Sequence, residues 1–266
     1  MYKLIITDFD GTLIKKDGTI SQAQLEGINS FIASGGIFIV STGRMTTSIL
    51  PLVRKMGLKG YVSSFNGGEL TDIETANTIF SNKIPNELAI QVYKVIEENK
   101  AYAHGYHSGE YFAEKRTKVT DYYEKLTFVK ASILNKKLSE HFIETGLDTN
   151  KILVMDEPEV LDRTITQLEV FKDRLHIVRS NAVQIEITDL SSTKGESLKK
   201  ISKILNVPIS EILAVGDGGN DITMLQTAGL GIAVANAEEY VKSHADVVFK
   251  FSNEQDAILH IIKEYT

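Results

Sequence analysis

The sequence contains no cysteine, which excludes disulfide bonds and metal sites built from thiolates. It also has no apolar stretch long enough to cross a bilayer. The apolar run near the N-terminus, Leu4–Ile6, is too short for the core of a signal peptide and leads directly into Asp8. These absences agree with a reducing compartment, so we expect a cytoplasmic protein with no membrane partner.

An excess of basic residues is also missing. Lys and Arg number 29 against 35 Asp and Glu, which gives a formal net charge of −6. Nucleic-acid-binding proteins usually present a basic face, so we expect no nucleic-acid partner. Any anionic substrate would have to be attracted by local groups. The 266 residues, 42% hydrophobic and 24% charged, are typical of a globular protein long enough for two domains.

Short strand-like and helix-like segments alternate in the first and last parts of the chain. Continuous apolar runs of strand length, such as Ile37–Val40 and Ile212–Val215, are expected where a strand is covered on both faces. Apolar residues at helical spacing lie between such runs, and Ser21 with Gln24 predicts a capping box at the first helix. This alternation predicts an α/β fold with a parallel sheet.

The middle of the chain is richer in aromatic and charged residues. We interpret residues 82–188 as a mixed α/β domain inserted into a core domain formed by residues 1–81 and 189–266. A hairpin is predicted around Ser108-Gly109. His104 and His107 would face opposite sides of its first strand, so they cannot share a zinc ion.

Two carboxylates follow each other closely where the first predicted strand ends. Alternate side chains of an extended segment share a face, so Asp8 and Asp10 can point the same way. Paired acids repel each other unless a cation compensates. With a cation present, one acid can act as a nucleophile while the other transfers protons. A solvated strand-to-loop transition, where Asp and Gly are common, explains this segment alone equally well.

The second predicted strand ends in Ser41-Thr42-Gly43-Arg44. Hydroxyl and backbone N–H groups donate to phosphate oxygens, a glycine lets the backbone approach closely, and a guanidinium pairs with oxyanions. Taken alone, the segment is explained more simply as an N-cap and loop glycine before the next helix.

Lys194 lies in the first turn of a predicted helix, since Thr193 and Glu196 form a second capping box. A cation at this end of a helix is disfavoured by the helix dipole. An anion bound between the ammonium and the helix N-terminus would remove the conflict. The alternative is a lysine that simply faces solvent, as most lysines do.

Acids and glycines also follow the strand Ile212–Val215, in the run Gly216-Asp217-Gly218-Gly219-Asn220-Asp221. Carboxylate and amide oxygens suit Mg²⁺ better than a soft metal. A dinucleotide-binding loop is rejected, because Asp221 stands where its third glycine would be and acids would repel a pyrophosphate.

Each of these segments lies at the carboxyl end of a strand or the start of a helix, where parallel sheets collect ligands. In this order they resemble the haloacid dehalogenase superfamily of phosphatases. Asp8–Thr12 resembles its first motif, Ser41–Arg44 the second, Lys194-Gly195 the third and Gly216–Asp221 the fourth. The insertion after the second motif, with Asn66-Gly67, resembles the Cof-type branch. The resemblance implies a Rossmann-like core and an inserted C2B-type cap that selects the leaving group.

The resemblance also implies a role for each motif residue. Asp8 would attack phosphorus and Asp10 would transfer protons. Mg²⁺ would be held by Asp8, the backbone carbonyl of Asp10 and Asp217, with support from Asp221. The phosphate- and substrate-binding residues would be Phe9, Thr42, Gly43, Arg44, Lys194 and Asn220. Gly218 and Gly219 depart from the family pattern, which usually has a small polar residue and an acid there.

Three functional hypotheses follow. The first is a Mg²⁺-dependent phosphatase acting on a small phosphorylated metabolite, such as a sugar phosphate or a phosphorylated cofactor. The second is a phosphomutase or phosphotransferase that uses the same phosphoaspartate. The third is a non-catalytic, phosphosugar-sensing module, against which the intact pair of Asp8 and Asp10 argues. The sequence carries no signal for the oligomeric state.

Overall fold

In the computed structural model, which describes residues 1–266, the chain divides into two units. The core unit contains residues 1–80 and 193–266, and the inserted unit contains residues 81–192. Each unit has its own hydrophobic core. None of the helices combines the length and the hydrophobicity that spanning a bilayer requires.

The strands and helices follow one another along the chain with short connections. The strands are β1 (Leu4–Asp8), β2 (Ile37–Ser41), β3 (Tyr61–Ser64), β4 (Glu69–Asp72), β5 (Thr78–Ser81), β6 (Ala103–His107), β7 (Glu110–Ala113), β8 (Ser132–Ile133), β9 (Lys151–Met155), β10 (Leu175–Asn181), β11 (Gln184–Asp189), β12 (Ile212–Gly216), β13 (Leu230–Ala233) and β14 (Val247–Val248). The helices are α1 (Gln22–Ala33), α2 (Thr46–Lys55), α3 (Asn86–Glu98), α4 (Lys118–Thr127), α5 (Leu138–Thr145), α6 (Pro158–Leu168), α7 (Lys194–Ile204), α8 (Ile222–Thr227), α9 (Glu239–Lys242) and α10 (Ala257–Tyr265).

The eight-stranded sheet of the core unit has the order β14-β13-β12-β1-β2-β3-β4-β5. Its first six strands are parallel, and every residue of β1 and β12 is buried. This burial explains why Leu4–Ile6 of β1 and Ile212–Val215 of β12 are continuous apolar runs without alternation. The predicted α/β fold with a parallel sheet is confirmed.

An antiparallel extension of this sheet was not predicted. Strand β4 pairs with β3 in antiparallel register, from Tyr61 opposite Asp72 to Ser64 opposite Glu69, and β5 follows at the edge. The turn between β3 and β4 contains three successive residues with positive φ, at Phe65, Asn66 and Gly67. The sharp reversal therefore occurs at the carboxyl end of β3.

The inserted unit is built on a six-stranded sheet with the order β10-β11-β9-β6-β7-β8. The predicted hairpin joins β6 and β7, and both of its turn residues, Ser108 and Gly109, have positive φ. As predicted, the two histidines of β6 do not share a site. His104 is wholly buried and lies 2.9 Å from the hydroxyl of Tyr102, whereas His107 Nδ1 donates to the carbonyl oxygen of Asp148.

Candidate active site

Parallel pairing of three core strands brings the predicted motifs to one edge of the sheet. Strand β1 lies between β2 and β12, with Asp8 opposite Ser41 and Thr7 opposite Val215. All three strands run in the same direction, so their carboxyl ends meet. The segments that begin at Asp8, Ser41 and Gly216 therefore face a common space, although they are far apart in the sequence.

The ammonium group of Lys194 lies at the centre of this space. Helix α7 begins at this residue, and the Thr193 side chain caps it by accepting from the backbone N–H of Glu196. Lys194 is only 1% exposed. Its Nζ donates to Asp8 Oδ1 at 2.5 Å and to Asp221 Oδ1 at 2.6 Å. These two carboxylates compensate a cation that the helix dipole alone would disfavour.

The site holds more negative than positive charge. Ligand oxygens of Asp8, Asp217 and Asp221 all lie within 4.8 Å of one another, around the one ammonium of Lys194. Burial raises the pKa of Asp8 well above its ordinary value; Asp221 and Asp217 add to the increase, while Lys194 opposes it. Burial also raises the pKa of Asp217 to about 6, with a further contribution from Asp221. A bound cation would offset this excess of negative charge.

The three carboxylates fit a hard divalent metal ion. Carboxylate oxygens are the donors that such ions prefer in proteins. Asp221 is the most constrained of them, since its Oδ1 accepts from Lys194 and its Oδ2 accepts from the backbone N–H groups of Asp217 and Gly218. Asp217 has one side-chain partner, the hydroxyl of Thr12. This leaves Asp217 and Asp8 with the most coordinating capacity.

The second motif is held against β3. The backbone N–H of Thr42 donates to Ser63 O at 2.8 Å, and its hydroxyl oxygen accepts from the N–H of Arg44 at 3.2 Å. Thr42 is buried, and its hydroxyl proton is available to an acceptor at the sheet edge. The Arg44 side chain extends to Asp10, where it forms an ion pair with a closest separation of 2.6 Å.

The remaining predicted residues differ in what they offer to a ligand. The side chain of Phe9 is wholly buried in the hydrophobic core, so only its backbone is available to a ligand. Asn220 is exposed, and its amide donates to Asn66 Oδ1 at 2.9 Å. Gly43 lies beside the same Asn66 side chain.

The structure adds two residues that the sequence patterns indicated only as parts of motifs. Thr12 donates its hydroxyl to Asp217, and Asn66 links the second and fourth motifs through Thr42 O and Asn220. Asn66 follows the carboxyl end of β3, so the rule that ligands gather at this edge would have found it. Thr12 gives a weaker signal, because a hydroxyl after a loop glycine is common in turns.

Comparison with known proteins assigns the chain to a family. Residues 5–262 match the family model of the haloacid dehalogenase-like hydrolases. The chain is similar to the phosphatase YwpJ of Bacillus subtilis, with 26% identity over 98% of this chain and 99% of that protein. It is similar to the 5-amino-6-(5-phospho-D-ribitylamino)uracil phosphatase YcsE of the same organism, with 26% identity over 99% of this chain and 95% of that protein.

A solved structure shows the same architecture. A haloacid dehalogenase-like hydrolase from Bacteroides thetaiotaomicron superposes with a TM-score of 0.87 and 26% identity, over 100% of both chains. The chain thus belongs to the haloacid dehalogenase-like hydrolases. The resemblance noted in the sequence is confirmed, and so is the expectation of an enzyme of the phosphoric monoester hydrolase class.

Proposed function

We propose that the chain is a cytoplasmic, Mg²⁺-dependent phosphatase that acts on a small phosphorylated metabolite through a phosphoaspartyl intermediate on Asp8. One observation carries the proposal. The buried Lys194 ammonium joins Asp8 to Asp221, with the Asp217 carboxylate alongside. A nucleophilic carboxylate, a fixed cation and a set of metal ligands are the parts that phosphoryl transfer requires.

In this proposal Asp8 forms a bond to phosphorus while the bond from phosphorus to the leaving oxygen breaks. Asp10 donates its proton to that oxygen, and the alcohol departs. Asp10 then accepts a proton from the water that attacks the phosphoaspartate. Inorganic phosphate leaves, and the Asp8 carboxylate is regenerated.

The surrounding groups make this approach of two anions possible. Lys194 and the Thr42 hydroxyl would hold phosphate oxygens, and Asn220 would contact the phosphate or orient Lys194. Asp8, Asp217 and the Asp10 carbonyl would hold Mg²⁺, with Asp221 supporting its water shell. When bound, Mg²⁺ supplies positive charge that offsets the repulsion between phosphate and carboxylates. Fixed charges of this kind usually contribute most to such catalysis.

The substrate class is supported by the relatives. YcsE is named for a phosphate ester of a small metabolite. Because the chain has a net charge of −6, the phosphate would be attracted by the local cations of the site and not by the charge of the whole molecule. Sugar phosphates and phosphorylated cofactors are small phosphate esters of this kind. In this proposal residues 82–188 act as the cap domain that selects the leaving group.

A panel of phosphorylated metabolites, assayed with and without Mg²⁺, tests the proposal. Phosphate release is expected to fall by at least about 100-fold after chelation of divalent ions and to return when Mg²⁺ is added back. Full activity in the chelated protein would contradict the metal assignment. A phosphorylated isomer without free phosphate would identify a mutase. Tight binding without turnover would identify a sensor.

Gly11 provides a structural test of the position of Asp217. Its φ is +86°, and a Cβ atom placed there would lie 2.5 Å from Asp217 Oδ2. Gly11→Ala is therefore expected to lose about 1–2 kcal/mol in the free energy of unfolding from backbone strain. It should also displace the Asp217 carboxylate, which we expect to slow phosphate release by at least about tenfold.

Gly18→Ala is the matched control for this substitution. Gly18 has a similar φ of +79°, but a Cβ atom placed there would have no other atom within 4 Å. Urea denaturation should show a similar loss of stability in both variants, whereas only Gly11→Ala should lose activity. Equal activities in the two variants would mean that Asp217 does not have to stay where the structure places it.

A further inference from the structure

The guanidinium of Arg44 is bound to both oxygens of the Asp10 carboxylate. Its Nε donates to Asp10 Oδ2 at 2.8 Å, and its Nη2 donates to Oδ1 at 2.6 Å. Pairing of two planar groups through two hydrogen bonds fixes orientation as well as distance, which a single ammonium cannot do. The contact therefore sets the plane of the Asp10 carboxylate and not only its position.

Arg44 is itself held on several sides. Its backbone N–H donates to the Thr42 hydroxyl, and its carbonyl oxygen accepts from the N–H of Phe65 at 3.0 Å. The guanidinium carbon lies 5.5 Å from the centroid of the buried Phe9 ring. A cation over an aromatic face is attracted by it. Arg44 is thus placed by the same strand ends that place the rest of the site.

Asp10 has little else to orient it. Its side chain is 49% exposed, and Arg44 is the one side chain that hydrogen-bonds to it. A carboxyl group that transfers a proton must be held within hydrogen-bond reach of the reacting oxygen. Loss of such positioning lowers the reaction rate even when every reacting group is still present. An Asp10 side chain without Arg44 would sample several rotamers in solvent.

We infer that Arg44 is a positioning residue for Asp10, which it orients for proton transfer to the leaving oxygen, and that it is not a ligand of the phosphate. The inference rests on the proposed function. Binding of phosphate through the Nε and Nη2 edge of Arg44 would require both hydrogen bonds to Asp10 to break. Lys194 is already buried in contact with the proposed nucleophile, so the site holds a cation for the phosphate without Arg44.

A double-mutant cycle of Arg44→Ala and Asp10→Asn, assayed on two substrates, tests the inference. Glycerol 2-phosphate has a poor leaving group that needs a proton, whereas p-nitrophenyl phosphate has one that scarcely does. Arg44→Ala is expected to lower kcat/KM on glycerol 2-phosphate by about 10- to 100-fold and on p-nitrophenyl phosphate by less than about threefold. The double variant should match Asp10→Asn alone, and Arg44→Lys should recover part of the loss.

Equal losses on both substrates, with a raised KM and effects that multiply in the double variant, would overturn the inference. They would identify Arg44 as a phosphate ligand. Arg163→Ala is the control for removal of a positive charge, since the exposed Arg163 donates only to the carbonyl of Glu159. This substitution should leave kcat/KM unchanged on both substrates.

A measurement without turnover separates this inference from the proposed function. In the NMR spectrum, the Nε–H signal of Arg44 is expected to exchange slowly with solvent and to lose this protection in Asp10→Ala. The same exchange rate in both proteins would overturn the inference, whatever the activity. Conversely, a wild-type protein that releases no phosphate from any substrate would refute the proposed function while the signal still reports on the pairing.

Discussion

Asp8→Asn is expected to abolish phosphate release, with kcat lowered by at least about 10³-fold. The amide has nearly the same shape as the carboxylate but cannot act as the nucleophile. The substitution removes one anion from a group of three carboxylates, of which Asp8 and Asp221 are buried, so we expect the fold to remain. The change in the free energy of unfolding should stay within about 1–2 kcal/mol, since one hydrogen bond to Lys194 is weakened while repulsion from Asp217 and Asp221 is relieved.

Steady-state phosphate release and mass spectrometry of the acid-quenched enzyme provide the measurement. The wild-type protein should carry a phosphoryl group on the peptide that contains Asp8, and the variant should not. Asp173→Asn is the matched control, because Asp173 is exposed in the inserted unit and should tolerate the change. Normal turnover by purified Asp8→Asn would refute the nucleophile assignment.

Much of the core fold could be predicted because burial on both faces leaves a simple pattern. Strands β1, β2 and β12 each begin with at least three consecutive apolar residues, so their assignment does not depend on which face of the sheet is considered. Parallel pairing then requires the residues after these strands to meet at one edge. That is how segments far apart in the sequence, such as Asp8 and Asp217, come to lie together.

The antiparallel strands β4 and β5 could not be predicted in this way. Strand β5 has exposed residues at Thr78 and Ile79, and β4 carries the polar residues Glu69, Thr71 and Asp72. Strands of four residues with such mixed composition have no periodicity that separates them from loops. They form because β3 offers an open edge and the turn at Phe65–Gly67 returns the chain to it.

The sequence patterns also could not predict which side chains would pair with each other. Two capping boxes were predicted, and in each of them only one of the two expected hydrogen bonds forms, the one that the cap side chain accepts. Ser21 accepts from the N–H of Gln24, but the Gln24 amide donates to Leu13 O instead of returning to the cap. Glu196 likewise pairs with Lys199. A local motif specifies which contacts are available, whereas tertiary packing decides between them, as it does for the pairing of Arg44 with Asp10.

Lys194→Met is expected to have the largest effect on stability. The methionine keeps a similar volume but leaves Asp8 and Asp221 buried without their ammonium partner. Removal of one member of a buried ion pair usually costs about 3–5 kcal/mol. Phosphate release should also fall by at least about 10³-fold, because the fixed positive charge at the phosphate is lost. Chemical denaturation in the absence of divalent ions provides the first measurement.

The partners of Lys194 make this prediction specific. If the loss comes from uncompensated charge, Asp221→Asn should restore part of the stability of Lys194→Met, although it removes hydrogen-bonding capacity. Millimolar Mg²⁺ should stabilise Lys194→Met more than the wild-type protein, since a ligand that binds only the folded state shifts the unfolding equilibrium. Lys199→Met is the matched control. Lys199 lies on the same helix and is an exposed lysine paired with Glu196, so its substitution should change the free energy of unfolding by less than about 0.5 kcal/mol. A similarly small change for Lys194→Met would mean that the Lys194 ammonium does not balance the buried carboxylates. That result would contradict the electrostatic argument for the proposed site.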